Sequence, residues 1–217
     1  MNYTELVATI EDYTENTFTV DERATFVKQA EQRIYNLCQL ANLRKNVTGV
    51  TVANNKYLSC PDDFMSVYEL AVVSPTTGNY TYLLDKDVSF IRECYPNPTS
   101  TGVPKYYALF GPVYNNVNEL SIILGPTPSA AYTVELHYYY YPQSIVTAGT
   151  TWLGDNFDSV LLYGSLVEAY TFMKGEADMM ALYDNKFKEA VALLKNYGDG
   201  KQRGDTFRDG QIKVPVR

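Results

Sequence analysis

Two helical blocks flanking a strand-rich middle predict an α+β fold: an antiparallel helical bundle, interrupted by an inserted all-β, sandwich-like module and followed by an extended C-terminal arm. Three observations carry that prediction. Apolar residues recur at spacings of three and four in residues 1–43 and again in 151–198. Residues 44–150 instead hold short β-branched and aromatic runs parted by turn residues. Residues 199–217 show no period at all. With 217 residues, 46% hydrophobic and 20% charged, the chain can bury a real core without disulfide staples.

The first block opens at Tyr3-Thr4-Glu5-Leu6, with Leu6, Val7 and Ile10 on one side. Asp21 suits the N-cap of a second helix of about twenty residues. There Phe26, Val27, Ala30, Ile34, Leu37, Cys38 and Ala41 form one apolar stripe, while Lys28, Gln29, Glu31, Gln32 and Arg33 fall mostly on the solvent side. In the middle block, runs such as Val47–Val52, Ser66–Leu70, Tyr80–Leu84, Tyr106–Phe110, Leu120–Leu124 and Thr133–Tyr138 read as about seven strands. Asp85-Lys86-Asp87 introduces one short helix that Tyr95-Pro96 ends. Eight of the ten prolines lie from Pro61 to Pro128, confined to the connections of this module. The last helical block has Asp155 or Asn156 as a cap, Val160 to Met173 as one helix ended by Gly175, and Met179 to Leu194 as its antiparallel neighbour, closing at Asn196-Tyr197-Gly198. Neither helical block can bury its stripe alone, so the two must pack on each other.

The terminal segment 199–217 carries five bases against three acids, so the other 198 residues hold −9 of a total of −7. Its Ile212, Val214 and Val216 alternate, the pattern of a strand that offers one apolar edge to a partner. A frayed chain end fits the same residues.

Composition also excludes. Clustered Lys/Arg is what grips a phosphate backbone, and the net charge of −7 argues against that as the main task. The start, MNYTELVATIEDY, carries acids where a secretion signal would carry Lys/Arg, and the longest apolar stretch is far short of 18 to 20 residues, so neither secretion nor membrane insertion is expected. Cys38, Cys60 and Cys94 form no C-x-x-C pair, which suits reduced thiols. The single His137 has no second histidine to share a metal or a proton-transfer task. Strand alternation sets it on one face with Glu135 and Tyr139. Phosphate-binding and nucleophile-elbow motifs are missing from the sequence. Acidic pairs such as Asp62-Asp63, Asp85/Asp87 and Glu11/Asp12 have plainer roles in turns, caps and solvated faces than in glycoside cleavage. The expectation is no enzyme, no metal and no cofactor. What stands out is tyrosine: 20 in all, 13 of them between residues 44 and 150. The run Tyr138-Tyr139-Tyr140-Tyr141 either fills a core strand or presents an interface.

One long stretch, Thr151-Trp152-Leu153-Gly154-Asp155-Asn156-Phe157 through Leu161-Leu162-Tyr163 to Ala169-Tyr170, resembles the head-to-tail adaptor (connector) proteins of tailed bacteriophages, as do Tyr183–Ala190 and Leu58-Ser59-Cys60-Pro61-Asp62-Asp63-Phe64. The likeness spans roughly residues 20–198 and is one of architecture, since none of these motifs is catalytic. It implies a homo-oligomeric ring, typically of about twelve copies, at the portal vertex of a virion assembled from chains made in the host cytoplasm. Such a ring would bind the portal protein on one side and tail nozzle or fibre proteins on the other, and DNA would pass through it. The resemblance makes the C-terminal segment the portal-binding arm, through Lys201, Arg203, Phe207, Arg208, Ile212, Lys213, Val214, Val216 and Arg217. Subunit or tail contacts fall to Tyr106, Tyr107, Tyr114, Tyr139 and Tyr141. Alternatives are a neck, tail-completion or fibre-binding protein of the same tail, and a peptidoglycan-cleaving tail enzyme.

Overall fold

In the computed structural model, residues 1–202 are described except Gln39, Thr76, Pro98 and 112–119; Ala41 and 199–202 are described by backbone alone. The chain divides into two compact units, a helical one (Met1–Asn42 with Gln143 onward) and a β one (Leu43–Pro142). The composition is mixed α+β, and among the described residues no sheet closes into a barrel.

The helical unit contains α1 (Tyr3–Thr14), α2 (Val20–Leu37), the short α4 (Ile145–Ala148) and α5 (Trp152–Asn156), α6 (Asp158–Met173) and α7 (Ala177–Gln202); α3 (Val88–Cys94) belongs to the β unit. Two capping boxes start the first helices. Asn2 Oδ1 accepts from the Glu5 N–H while Glu5 Oε2 accepts from the Asn2 N–H, both at 2.9 Å. Thr19 and Glu22 repeat the device before α2. Thr19 rather than Asp21 is therefore the N-cap, because its hydroxyl reaches the third N–H of the helix while Asp21 already lies within it.

Helix α6 is apolar nearly all round, with Val160, Leu161, Leu162, Leu166 and Ala169 buried, so it is the centre of the bundle. A Cβ on Gly164 would stand 3.1 Å from Ala30 of α2 and 3.1 Å from the Phe187 ring of α7, which is why the three helices can approach this closely. Neither Asp155 nor Asn156 caps α6. Both belong to α5, and Phe157 links the two helices by donating its N–H to Leu153 O at 2.8 Å. Helix α7 runs through Gly198 to Gln202 rather than stopping at Gly198. A mid-helix glycine costs only about 1 kcal/mol, and Tyr197 is held by Trp152 and Phe157 at ring separations of 5.9 and 5.2 Å.

Glu31 departs from its expected solvent face. It is 3% exposed, and its Oε1 accepts the Ile145 N–H at 2.8 Å, tying α2 to the start of α4. Burial pushes its carboxyl above the ordinary range, against the hydrogen bonds from Ile145 and Ser144. Leu37, placed in the predicted stripe, is 44% exposed.

The β unit stacks two four-stranded sheets. Sheet A is ordered β1 (Arg44–Val50), β10 (Thr133–Tyr140), β3 (Phe64–Val73), β4 (Tyr80–Tyr82), all antiparallel. Sheet B is ordered β2 (Tyr57–Ser59), β8 (Ser121–Gly125), β7 (Tyr106–Phe110), β5 (Leu84–Asp85), with β5 and β7 parallel. Two-residue strands β6 (Thr101–Gly102) and β9 (Thr127–Pro128) pair separately. Leu70, Val72, Val134, Leu136 and Tyr138 of sheet A meet Tyr107, Ile122 and Leu124 of sheet B in one core. Every residue of β8 is buried, because Ile123 on its other face is covered by Ile91 of helix α3 (Val88–Cys94). That makes three layers: sheet A, sheet B and α3. Asp87, not Asp85, precedes α3, and it makes no side-chain capping bond. Residues 143–150, counted with the strands in the sequence, fold as α4 and its flanks in the helical unit.

Candidate functional site

The outer face of sheet A is the most elaborated surface of the β unit. Its side chains follow from register: Asn46 of β1 and Glu69 of β3 both stand opposite His137, and Thr48 and Ala71 both stand opposite Glu135. Two irregularities in the β10–β3 pairing, at His137/Tyr138 and Tyr139/Tyr140, adjust where the four consecutive tyrosines point.

Tyr138 turns inward and stacks on Phe64 at 5.9 Å, while its hydroxyl donates to Asp63 Oδ1 at 2.9 Å. Burial and that carboxylate push its pKa up to about 12. Asp63 also receives Lys45 Nζ at 2.6 Å. Burial opposes its ionisation, but the Lys45 and Tyr138 hydrogen bonds win and hold its carboxyl below the ordinary range. Tyr139 lies on the outer face. The Arg44 guanidinium donates to its hydroxyl at 3.0–3.2 Å and rests 4.3 Å from the centre of the Tyr68 ring. Tyr140 is half-buried under Lys45 Nζ, 4.0 Å from the ring centre, and Tyr141 is exposed just past the strand.

Beside the Arg44–Tyr139–Tyr68 stack, His137 sits between two carboxylates, with Nε2 3.4 Å from Glu135 and Nδ1 3.9 Å from Glu69. Tyr80 hydrogen-bonds Glu135, which raises the pKa of the phenol. Tyr68, Tyr80 and Tyr82 are each more than half exposed. A flat face of phenols, one guanidinium and paired acids has the chemistry of a wet docking surface. Among the described residues no group of three His, Cys, Asp or Glu side chains is arranged to hold a metal.

The residues singled out in the sequence scatter. Tyr139 belongs to the outer face, and Glu135 and His137 share it as alternation predicted. Tyr107 points into the sandwich at 7% exposure, its pKa pushed up to about 12 by burial and then Asp85, so it offers no surface to a neighbour. Tyr106 packs under α3 against Phe90 at 5.3 Å. Tyr114 lies outside the described residues. Of the arm, Lys201 is in the last turn of α7; Arg203, Phe207, Arg208, Ile212, Lys213, Val214, Val216 and Arg217 lie outside the described residues. Sequence reading missed Arg44, Asp63, Tyr68 and Tyr80 as members of the arrangement. The pairing of β1, β3 and β4 around β10 brings Arg44, Tyr68 and Tyr80 to Tyr139 and Glu135, and Asp63, just before β3, reaches Tyr138 and Lys45.

Among the described residues, no helix is long and apolar enough to cross a membrane. No curated protein matches the chain. The sequence profile of the SU10 adaptor protein matches residues 1–214, taking in the helical blocks, the inserted sheets and nearly all of the terminal segment. The chain therefore belongs to the SU10 adaptor family of structural phage proteins.

Proposed function

We propose that this adaptor is one subunit of a ring, of about twelve copies, that joins the portal protein to the tail and surrounds the path of exiting DNA. The observation that carries the reading is the family match over residues 1–214, since it covers both units at once. The physical properties agree with it. A net charge of −7 suits a wall past which DNA must slide without being trapped. The tyrosine-rich outer face of sheet A suits contact with a tail nozzle or fibre protein, and it is also what a fibre-binding module of the same tail would need.

The C-terminal arm, of which residues 203–217 follow Gln202, docks on the portal and adds affinity there. Electron microscopy of the purified chain mixed with its portal protein tests the proposal. Rings stacked on the portal are expected for the full chain, and no docking for a chain ending at Gln202. Equal docking of the shortened chain removes the arm from the reading, and single unassembled subunits under every mixture remove the ring.

A further inference from the structure

The helical unit carries an apolar groove and an acid-rimmed corner at opposite ends of α2, and we propose that neighbouring copies meet by seating the corner of one in the groove of the next. The groove, of about 420 Å³, lies between the C-terminal part of α2 and the second half of α7. Phe187, Val191, Ala192 and the exposed Leu37 form its apolar lining, and Arg33, Lys188 and Lys195 supply cations. Asp184 and Glu168 neutralise part of this charge, with Arg33 at 3.7 and 3.6 Å and Lys188 2.6 Å from Asp184. Lys195 has no carboxylate within ion-pair distance among the described residues.

The corner is the α1–α2 junction. Residues 1–22 contain six acids and no Lys or Arg. At the start of α2, Val20 is 71% exposed, the most exposed large apolar residue of the chain's described part. Glu15, Asp21 and Glu22 surround it in sequence, none of them ion-paired among the described residues. Arg23 lines a small pocket with Val20 but is held by Glu11 at 3.2 Å, so an exposed apolar residue with acids in excess beside it meets an apolar groove edged by bases with complementary charge. The two patches are separated along α2 by roughly 20–25 Å at 1.5 Å per residue, so they cannot meet within one copy. A contact between different patches is heterologous and propagates head to tail, which is what a closed ring requires. The inference rests on the ring reading and says which surfaces close it.

The test is a charge swap in the full-length chain, with assembly followed by native mass spectrometry and sedimentation, alone and with the portal protein. Lys195→Glu and the pair Glu15→Lys/Asp21→Lys should each lower the assembled fraction at least about tenfold through like-charge contact. All three changes together should restore it to within about threefold of the wild type, since the swapped charges again attract. Ala192→Trp, at an exposed position, should block assembly while leaving the melting temperature unchanged. Rings that form equally well in every variant overturn this contact and leave the ring intact. Failure of the swap to rescue also overturns it. A wild-type chain that stays single even with the portal overturns both proposals. If a chain ending at Gln202 assembles normally and no longer responds to Ala192→Trp, the chain's own end fills the groove and the proposal is wrong.

Discussion

Each unit of the molecule uses a carboxylate to fasten distant pieces of chain, and the two carboxylates are driven in opposite directions. In the helical unit Glu31 reaches across 114 residues to the Ile145 N–H, and burial outweighs that bond, the Ser144 bond and the weaker pull of Lys28, so the proton is held more tightly. In the β unit Asp63 reaches across 75 residues to the Tyr138 hydroxyl, and Lys45 stands 2.6 Å away, so the charge is favoured. The lesson is that a long-range polar fastening is neither acid- nor base-stable by nature. The balance between depth of burial and a cation in direct hydrogen bond, as Lys45 is to Asp63, decides the sign.

The coarsest break separates the two cores. Phe187→Ala, at a ring 2% exposed, should destabilise the helical unit by about 3–5 kcal/mol, and Leu124→Ala the β unit by about 2–5 kcal/mol. Scanning calorimetry should show each change moving the transition of its own unit; equal movement of both would mean that the cores unfold as one. Next in size is Glu31→Ala, which strands the buried Ile145 N–H and should cost about 1–3 kcal/mol. Glu31→Gln keeps an acceptor and should recover most of that loss.

Smaller is Asp63→Asn, expected to cost about 1 kcal/mol, because the Lys45 pair is partly solvent-screened and the Tyr138 bond is one hydrogen bond. The pH dependence then sharpens the contrast. Glu31 has a raised folded pKa, so its contribution is fully present below its ordinary 4.5 and is lost as pH rises through the folded value. Asp63 has a lowered one, so its contribution is present above its ordinary 3.8 and is lost as pH falls through the folded value. Urea midpoints measured between about pH 3 and 7 should rise in slope with Glu31→Gln and fall in slope with Asp63→Asn. The finest effect is spectroscopic. Tyr107, Tyr138 and Tyr183, each pushed up to about 12, should ionise after the exposed tyrosines in an absorbance titration, and Tyr138→Phe should remove one late proton.

Much of this architecture could be read from residue periodicity, because a buried stripe or alternating strand leaves a local trace. Phe26, Val27, Ala30 and Ile34 are buried as their spacing required, and the run Leu120–Leu124 lies, apart from the exposed Leu120, in the fully covered β8. What periodicity cannot carry is a partner chosen by tertiary structure. Glu31 looked like a solvent-facing residue because its acceptor role depends on α4, more than a hundred residues away. Asn196-Tyr197-Gly198 looked like a helix end because the aromatic contacts that carry α7 onward come from Trp152 and Phe157. The outer face of sheet A was half legible. Glu135, His137 and Tyr139 follow from alternation within one strand, whereas Arg44, Tyr68 and Tyr80 arrive by pairing between strands, which one strand's sequence does not encode.

The contact of Trp152 with Phe157 and Tyr197 has an optical consequence. The chain holds a single tryptophan, and it lies in the helical unit at the junction of α5 with the far part of α7. Excitation at the red edge, where phenols do not absorb, therefore lights one reporter in one half of the protein. Its emission can follow melting of the bundle while the sandwich stays dark, and quenching by an added partner would register an event at that end of α7 alone.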